Sequence, residues 1–198
     1  MTHKTAEQIL AEPNGYSDFV KAMFNRSGDL SKDFAHAAIG LVTEVHELRR
    51  ATDLVNQIEE AGDAFFYGEA MRQVIGDSLG YPVGPKLVAA ELHMLMHTRL
   101  SSDEGRTNSL NDLLDHAKRW IGYGKRPENL IAVLAEAGAV VAFEIRDGLG
   151  GEFPDELILL TNVKKLLKRY NGMTFSQEAA VNRDLGAERA VLEDAAAA

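Results

Sequence analysis

The chain has 198 residues, of which 45% are apolar and 26% charged, with a formal net charge of -9 and no cysteine. An acidic chain without a long basic run argues against duplex nucleic acid or an anionic membrane as a partner, and the absence of cysteine excludes a disulfide framework, a thiolate zinc site and a thiol nucleophile. Met1 to Gly15 is polar, which gives no sign of a secretory signal, and no apolar run is long enough to span a bilayer, so a cytoplasmic protein is expected.

No segment alternates apolar and polar residues for long enough to compete with the helical period. The expected fold is therefore all-α, an antiparallel helical bundle of about six helices in a single domain over residues 1–198. In chain order, Leu30 to Arg50 carries Phe34, Ala38, Leu41, Val45 and Leu48 at steps of three and four, with Ser31 as the expected N-cap. A second helix starts near Thr52 or Asp53, turns Val55, Ile58, Phe65 and Phe66 inward and closes at Gly76; the short connection makes these two antiparallel. The turn-rich segment Tyr81 to Pro85 leads to a helical run from Leu87 to Leu100, a polar loop from Ser101 to Asn108 and a fourth run from Leu110 to Ile121. Gly122, Gly124 and Pro127 break the chain. Pro127 suits the start of a fifth helix over Leu130 to Ile145, ended by Gly148, Gly150 and Gly151. Pro154 opens the sixth, whose inner face reads as Leu157, Leu160, Val163, Leu166 and Leu167, and residues 176–198 read as one surface helix fraying at its terminal alanines.

Two acidic pairs lie in the first two helices: Glu44 with Glu47, and Glu60 with Asp63. Helical residues three apart share a face, so a hairpin over residues 30–76 brings four carboxylates to one place. Their mutual repulsion calls for a cation, and an all-oxygen ligand set suits Mg²⁺, with Mn²⁺ as the other choice. Tyr67, four residues after Asp63, falls on the same face with its hydroxyl toward a sugar or phosphate. Asn162 and Lys165, extended by Lys168 and Arg169, are the candidates for the far end of a phosphate chain. Glu59 reads as solvent-facing, His36 and His46 as packed or surface residues, Lys164 to Arg169 as a solvated basic strip in the simpler reading, and Trp120 as core or interface.

The segment Ile58 to Phe66 is echoed by Leu134 to Ala142, with Ala139 in place of Asp63. If this is a duplication, residues 107–171 form a degenerate second half in which Asp112 and Asp115 are a relic of the other acidic pair, and the first half holds the active site.

Thr43-Glu44-Val45-His46-Glu47-Leu48 followed by Glu60-Ala61-Gly62-Asp63 resembles the all-α nucleoside triphosphate pyrophosphatases, the superfamily of MazG-like proteins, dimeric dUTPases and dCTP pyrophosphatases. The approach His36 to Glu44 is similar to that of MazG-like proteins. So is the closing segment, Asn162 to Tyr170, Phe175-Ser176 and Asn182-Arg183-Asp184. One departure is that Gly122-Tyr123-Gly124-Lys125 and its flanks follow both acidic pairs instead of lying between them. The resemblance implies Mg²⁺-dependent cleavage between the α and β phosphates by water. Glu44, Glu47, Glu60 and Asp63 would hold metal and supply the base, Tyr67, Asn162 and Lys165 would contact the substrate, and the protein would be a homo-oligomer, dimer or tetramer. Two rivals stand beside it. A carboxylate-bridged di-iron bundle requires Glu-x-x-His pairs, which this sequence lacks. The other is a non-catalytic bundle, either one that binds a nucleotide or regulates without turnover or a structural helical protein whose acidic face is only solvated.

Overall fold

In a computed structural model, the described residues are 4–95, 100–150 and 153–197, and they form ten helices with no strand among them. The all-α class is borne out. No helix among the described residues is long and apolar enough to cross a membrane.

The chain opens with two helices absent from the periodicity reading, α1 (Ala6–Leu10) and α2 (Gly15–Met23). The first is too short to show a period. It is fixed instead by a capping box, in which Thr5 accepts from the Gln8 backbone and the Gln8 side chain accepts from the Thr5 backbone. Ile9, Phe19 and Met23 are buried from these two helices against Val163 and Leu166, forming a small second core.

Helix α3 (Leu30–Arg50) has the expected bounds, and all five expected core residues are buried. Its cap is Asp29 and not Ser31. The Asp29 carboxylate accepts from Ser31 N at 2.9 Å and from the Ser31 hydroxyl at 2.7 Å, so Ser31 becomes a donor inside the first turn. Asp53 caps α4 (Leu54–Leu79) through Asn56 N at 3.0 Å. Ile58 is buried, and Val55, Phe65 and Phe66 are half-buried against the same core. Gly76 does not close α4, because Gly80, at φ 77°, supplies the left-handed cap four residues further on. Gly76 has a packing role instead: a Cβ there would sit 3.2 Å from the Tyr81 carbonyl oxygen.

Helix α5 (Pro85–Leu95) begins the third expected run, whose continuation over residues 96–99 lies outside the described residues, as does the expected breaker Gly151. The expected loop Ser101 to Asn108 is largely helix. Ser102 caps α6 (Asp103–Tyr123) by accepting from Gly105 N at 3.1 Å, and acidic Asp103 and Glu104 suit that terminus. Asn129, not Pro127, caps α7 (Leu130–Leu149), which continues through Gly148 to a left-handed Gly150. Helix α8 (Asp155–Tyr170) starts after Pro154 as expected, but its inner face is rotated: Ile158, Thr161, Asn162, Val163, Lys165 and Leu166 are buried. The tail is two helices, α9 (Gln177–Val181) and α10 (Leu185–Ala196), with α10 packed on α8 and α4 through buried Glu188 and Leu192.

Helices α3, α4, α6 and α7 enclose the main core, α3 and α7 each touching the other three, and Trp120 packs on Phe34 there with ring centroids 5.1 Å apart. Helix α8 lies on the other side of α4, backed by α1 and α2 and flanked by α10. That arrangement sets the α3–α4 hairpin facing α8 and the tail.

A candidate metal centre at the head of a cleft

The three-residue spacing brings together three of the four expected carboxylates, while Asp63 falls outside the cluster. Glu44 and Glu47 from α3 meet Glu60 from α4, each offering an oxygen within 4.8 Å of the others, and this is the one such cluster among the described residues. Burial is the main cause that pushes the Glu44 carboxyl up to about 9, helped by the charge of Asp63 and by Glu60 and Glu47. Glu60 rises to about 7, also chiefly by burial, while a hydrogen bond from Glu44 works the other way. The two carboxyls are hydrogen-bonded to each other, and burial with mutual repulsion favours a proton held between them.

Asp63, one turn further along α4, has both oxygens engaged. Asn162 Nδ2 donates to Oδ1 at 2.7 Å and Lys165 Nζ to Oδ2 at 2.6 Å. Lys165 is fully buried and also stands 3.4 Å from Glu59, so it does not belong to a solvated strip. Gly62 makes this contact between helices possible, since a Cβ there would lie 2.9 Å from the Asn162 Cβ. From the other side, the Tyr16 hydroxyl donates to Asn162 Oδ1 at 3.4 Å, which turns the amide so that Nδ2 faces Asp63. Burial, together with the charges of Asp63 and Glu69, pushes the Tyr16 hydroxyl well above its ordinary range.

Tyr67 lies flat over Gly40 of α3; a Cβ on Gly40 would stand 2.4 Å from its ring. Burial and the nearby Glu44 and Asp63 raise its hydroxyl to about 12, so it acts as a donor. Its edge meets Phe66 and His36, and His36 stacks on Phe24 with centroids 4.6 Å apart. His36 therefore works as an aromatic wall. Tyr170 and Phe175 form a second aromatic pair.

One cleft of about 680 Å³ is lined by Glu44, Glu47, Glu59, Glu60 and Asp63, by Phe24, His36, Phe66, Tyr67, Tyr170 and Phe175, and by Arg169 and Arg183. Glu59, expected to face solvent, is half-buried in its wall. Of the expected substrate contacts, Tyr67 and Arg169 line the cleft directly, whereas Asn162 and Lys165 stand behind Asp63. Sequence reasoning missed Tyr16, Phe24 and Glu188 altogether.

Helices α6 and α7 build a different environment. Glu136 accepts from the Ser109 hydroxyl at 2.5 Å, Asp115 pairs with Lys118 and Arg119 on its own helix, and buried Glu144 is held by Arg49 and Arg106. Lys164 is exposed and bridges to Glu7, and Trp120 is core. Comparison with protein-family models, curated proteins and solved structures returned no match for this chain.

Proposed function

We propose that this chain is a Mg²⁺-dependent nucleoside triphosphate pyrophosphohydrolase that releases pyrophosphate and a nucleoside monophosphate. The observation that carries the reading is the convergence of Glu44, Glu47 and Glu60 at the head of a cleft whose other walls are aromatic and cationic. The donor set fits a hard divalent cation: oxygen ligands, from two rigid helices, with carboxyls raised by burial and mutual repulsion. Glu44, Glu47 and Glu60 would hold the ion, with Asp63 fixed by Asn162 and Lys165 one turn further along α4. When bound, it supplies charge neutralisation at phosphate and a more acidic water.

The chain's own residues account for the rest. A carboxylate of the cluster, freed of the shared proton, accepts the proton of the attacking water. That water adds to the α phosphorus as the bond to the α–β bridging oxygen breaks, and pyrophosphate leaves with those electrons. Asn162 and Lys165 hold Asp63 in one orientation from behind. Tyr67 donates its hydroxyl toward sugar or phosphate, and the aromatic walls at Phe24 with His36 and at Tyr170 with Phe175 offer faces for a base. The proposal extends to a homo-oligomer, dimer or tetramer, working in the cytoplasm, with its mass in solution as the check.

The test is pyrophosphate release from a panel of ribo- and deoxynucleoside triphosphates with Mg²⁺, by the native protein and by Glu47→Gln and Asp63→Asn. Turnover that both substitutions reduce at least a hundredfold supports the proposal. A folded, metal-supplied protein that releases nothing yet is stabilised by nucleotide would be a nucleotide-binding bundle instead.

A further inference from the structure

The tail contributes a tightly built polar group beside the cleft. Helix α10 places Glu188, 2% exposed, between two arginines. Arg169 donates through Nε at 3.0 Å and Nη2 at 2.7 Å, and Arg183 through Nη2 at 2.6 Å and Nε at 3.2 Å. Burial alone would raise the Glu188 carboxyl, yet these bonds outweigh it and hold it at about 2, so it stays ionised.

Two guanidiniums around one carboxylate leave one positive charge over. Each commits its Nε edge to Glu188 and keeps its Nη1 amino group for another acceptor. Both arginines line the same cleft as the carboxylate cluster. Arg183 Nη2 is already 3.6 Å from Glu59, so without Glu188 this guanidinium would be drawn onto the acidic wall and would compete with a cation there. The cleft is therefore bipolar, with carboxylates for a metal on one part and a held pair of guanidiniums on another. A chain of phosphates, anionic along its length and metal-bound at one end, matches that distribution.

We propose that Glu188 is a positioning residue that clamps Arg169 and Arg183 into a paired-guanidinium subsite for the distal phosphates of a polyphosphate ligand. The inference rests on the cleft being the triphosphate site proposed above. A purely structural anchor, with Glu188 and Leu192 only docking α10, predicts lower stability and an unchanged affinity for anions.

The test is calorimetric titration of inorganic tripolyphosphate with Mg²⁺ into the native protein, Glu188→Gln, Arg183→Lys and the double variant. Each single variant is expected to bind at least tenfold more weakly. The double variant should lose less than the product of the two, because the three side chains act as one unit. In turnover, KM should rise about tenfold while kcat stays within about threefold. Should Glu188→Gln fail to fold, Arg183→Lys carries the test alone, since its partly exposed side chain lies in the tail. A folded Arg183→Lys that binds tripolyphosphate within twofold of native overturns the clamp, and so does a native protein that does not bind it. Binding that the variants weaken, without pyrophosphate release from any nucleotide, would leave the clamp standing and refute the hydrolase. Release with KM unchanged in the variants would do the reverse.

Discussion

Glu44→Gln should make the metal-free protein more stable. The unfolded carboxyl ionises near 4.5 and the folded one near 9, so between those values the native state binds a proton that the unfolded state has released. Stability therefore falls as pH rises through that window, by about 1.4 kcal/mol per pH unit for a single isolated group. At about pH 7.5 this amounts to roughly 4 kcal/mol, and halving it for partial exposure and for the proton shared with Glu60 leaves about 2 kcal/mol. Glutamine keeps the shape and the hydrogen bond toward Glu60 without ionising, so it escapes the penalty. For a chain of this length the gain corresponds to a rise in Tm of about 4–8 °C. The assay is thermal unfolding in EDTA at about pH 7.5 and again at about pH 4.5, where the native and variant curves should converge. A variant that melts at or below the native temperature at the higher pH, or an advantage that persists unchanged at the lower one, would show that the Glu44 carboxyl is not held protonated by its surroundings.

Two further predictions concern the frame of the site. Gly40→Ala puts a methyl 2.4 Å from the Tyr67 ring, whereas Gly68→Ala meets only the Leu41 Cδ1 at 3.8 Å. By urea denaturation the first should lose about 1–3 kcal/mol through overpacking and the second gain about 0.5–1 kcal/mol from helix propensity; equal effects would contradict the packing described. Lys165→Met removes the buried cation that holds Asp63. Breaking such a pair costs about 3–5 kcal/mol when both partners are fully buried, and because Asp63 is 22% exposed the expected loss is nearer 2–3 kcal/mol. An unfolding free energy lowered by less than about 1 kcal/mol in urea would show that Lys165 is not the partner that matters.

The parts of the fold legible in the sequence are those with a local cause. Phe34, Ala38, Leu41, Val45 and Leu48 repeat at the helical period over a long stretch, and Glu44, Glu47 and Glu60 are brought together by that same period across a short connection. The rest depended on partners distant in sequence. Helix α8 is rotated because Lys165 and Asn162 are buried, and a lysine reads as a surface residue until Asp63, far away on α4, is known to meet it. The tail reads as a solvated helix for the same reason, since Glu188 becomes a buried residue only through Arg169 and Arg183. Cap choice failed at a finer level: Asp29 and Ser31 are both good caps, and the Ser31 hydroxyl donating to Asp29 decided between them. Helix α1 has only five residues, too few to show a period.

Whether the three clustered carboxylates form a cation site is decided by isothermal titration of Mg²⁺ and Mn²⁺ into the native protein and Glu60→Gln. Binding by the native chain that strengthens from about pH 6 to about pH 8, with proton release, and a loss of at least tenfold in the variant is the predicted result. Affinity that is absent from the native protein, or the same in Glu60→Gln, would contradict it.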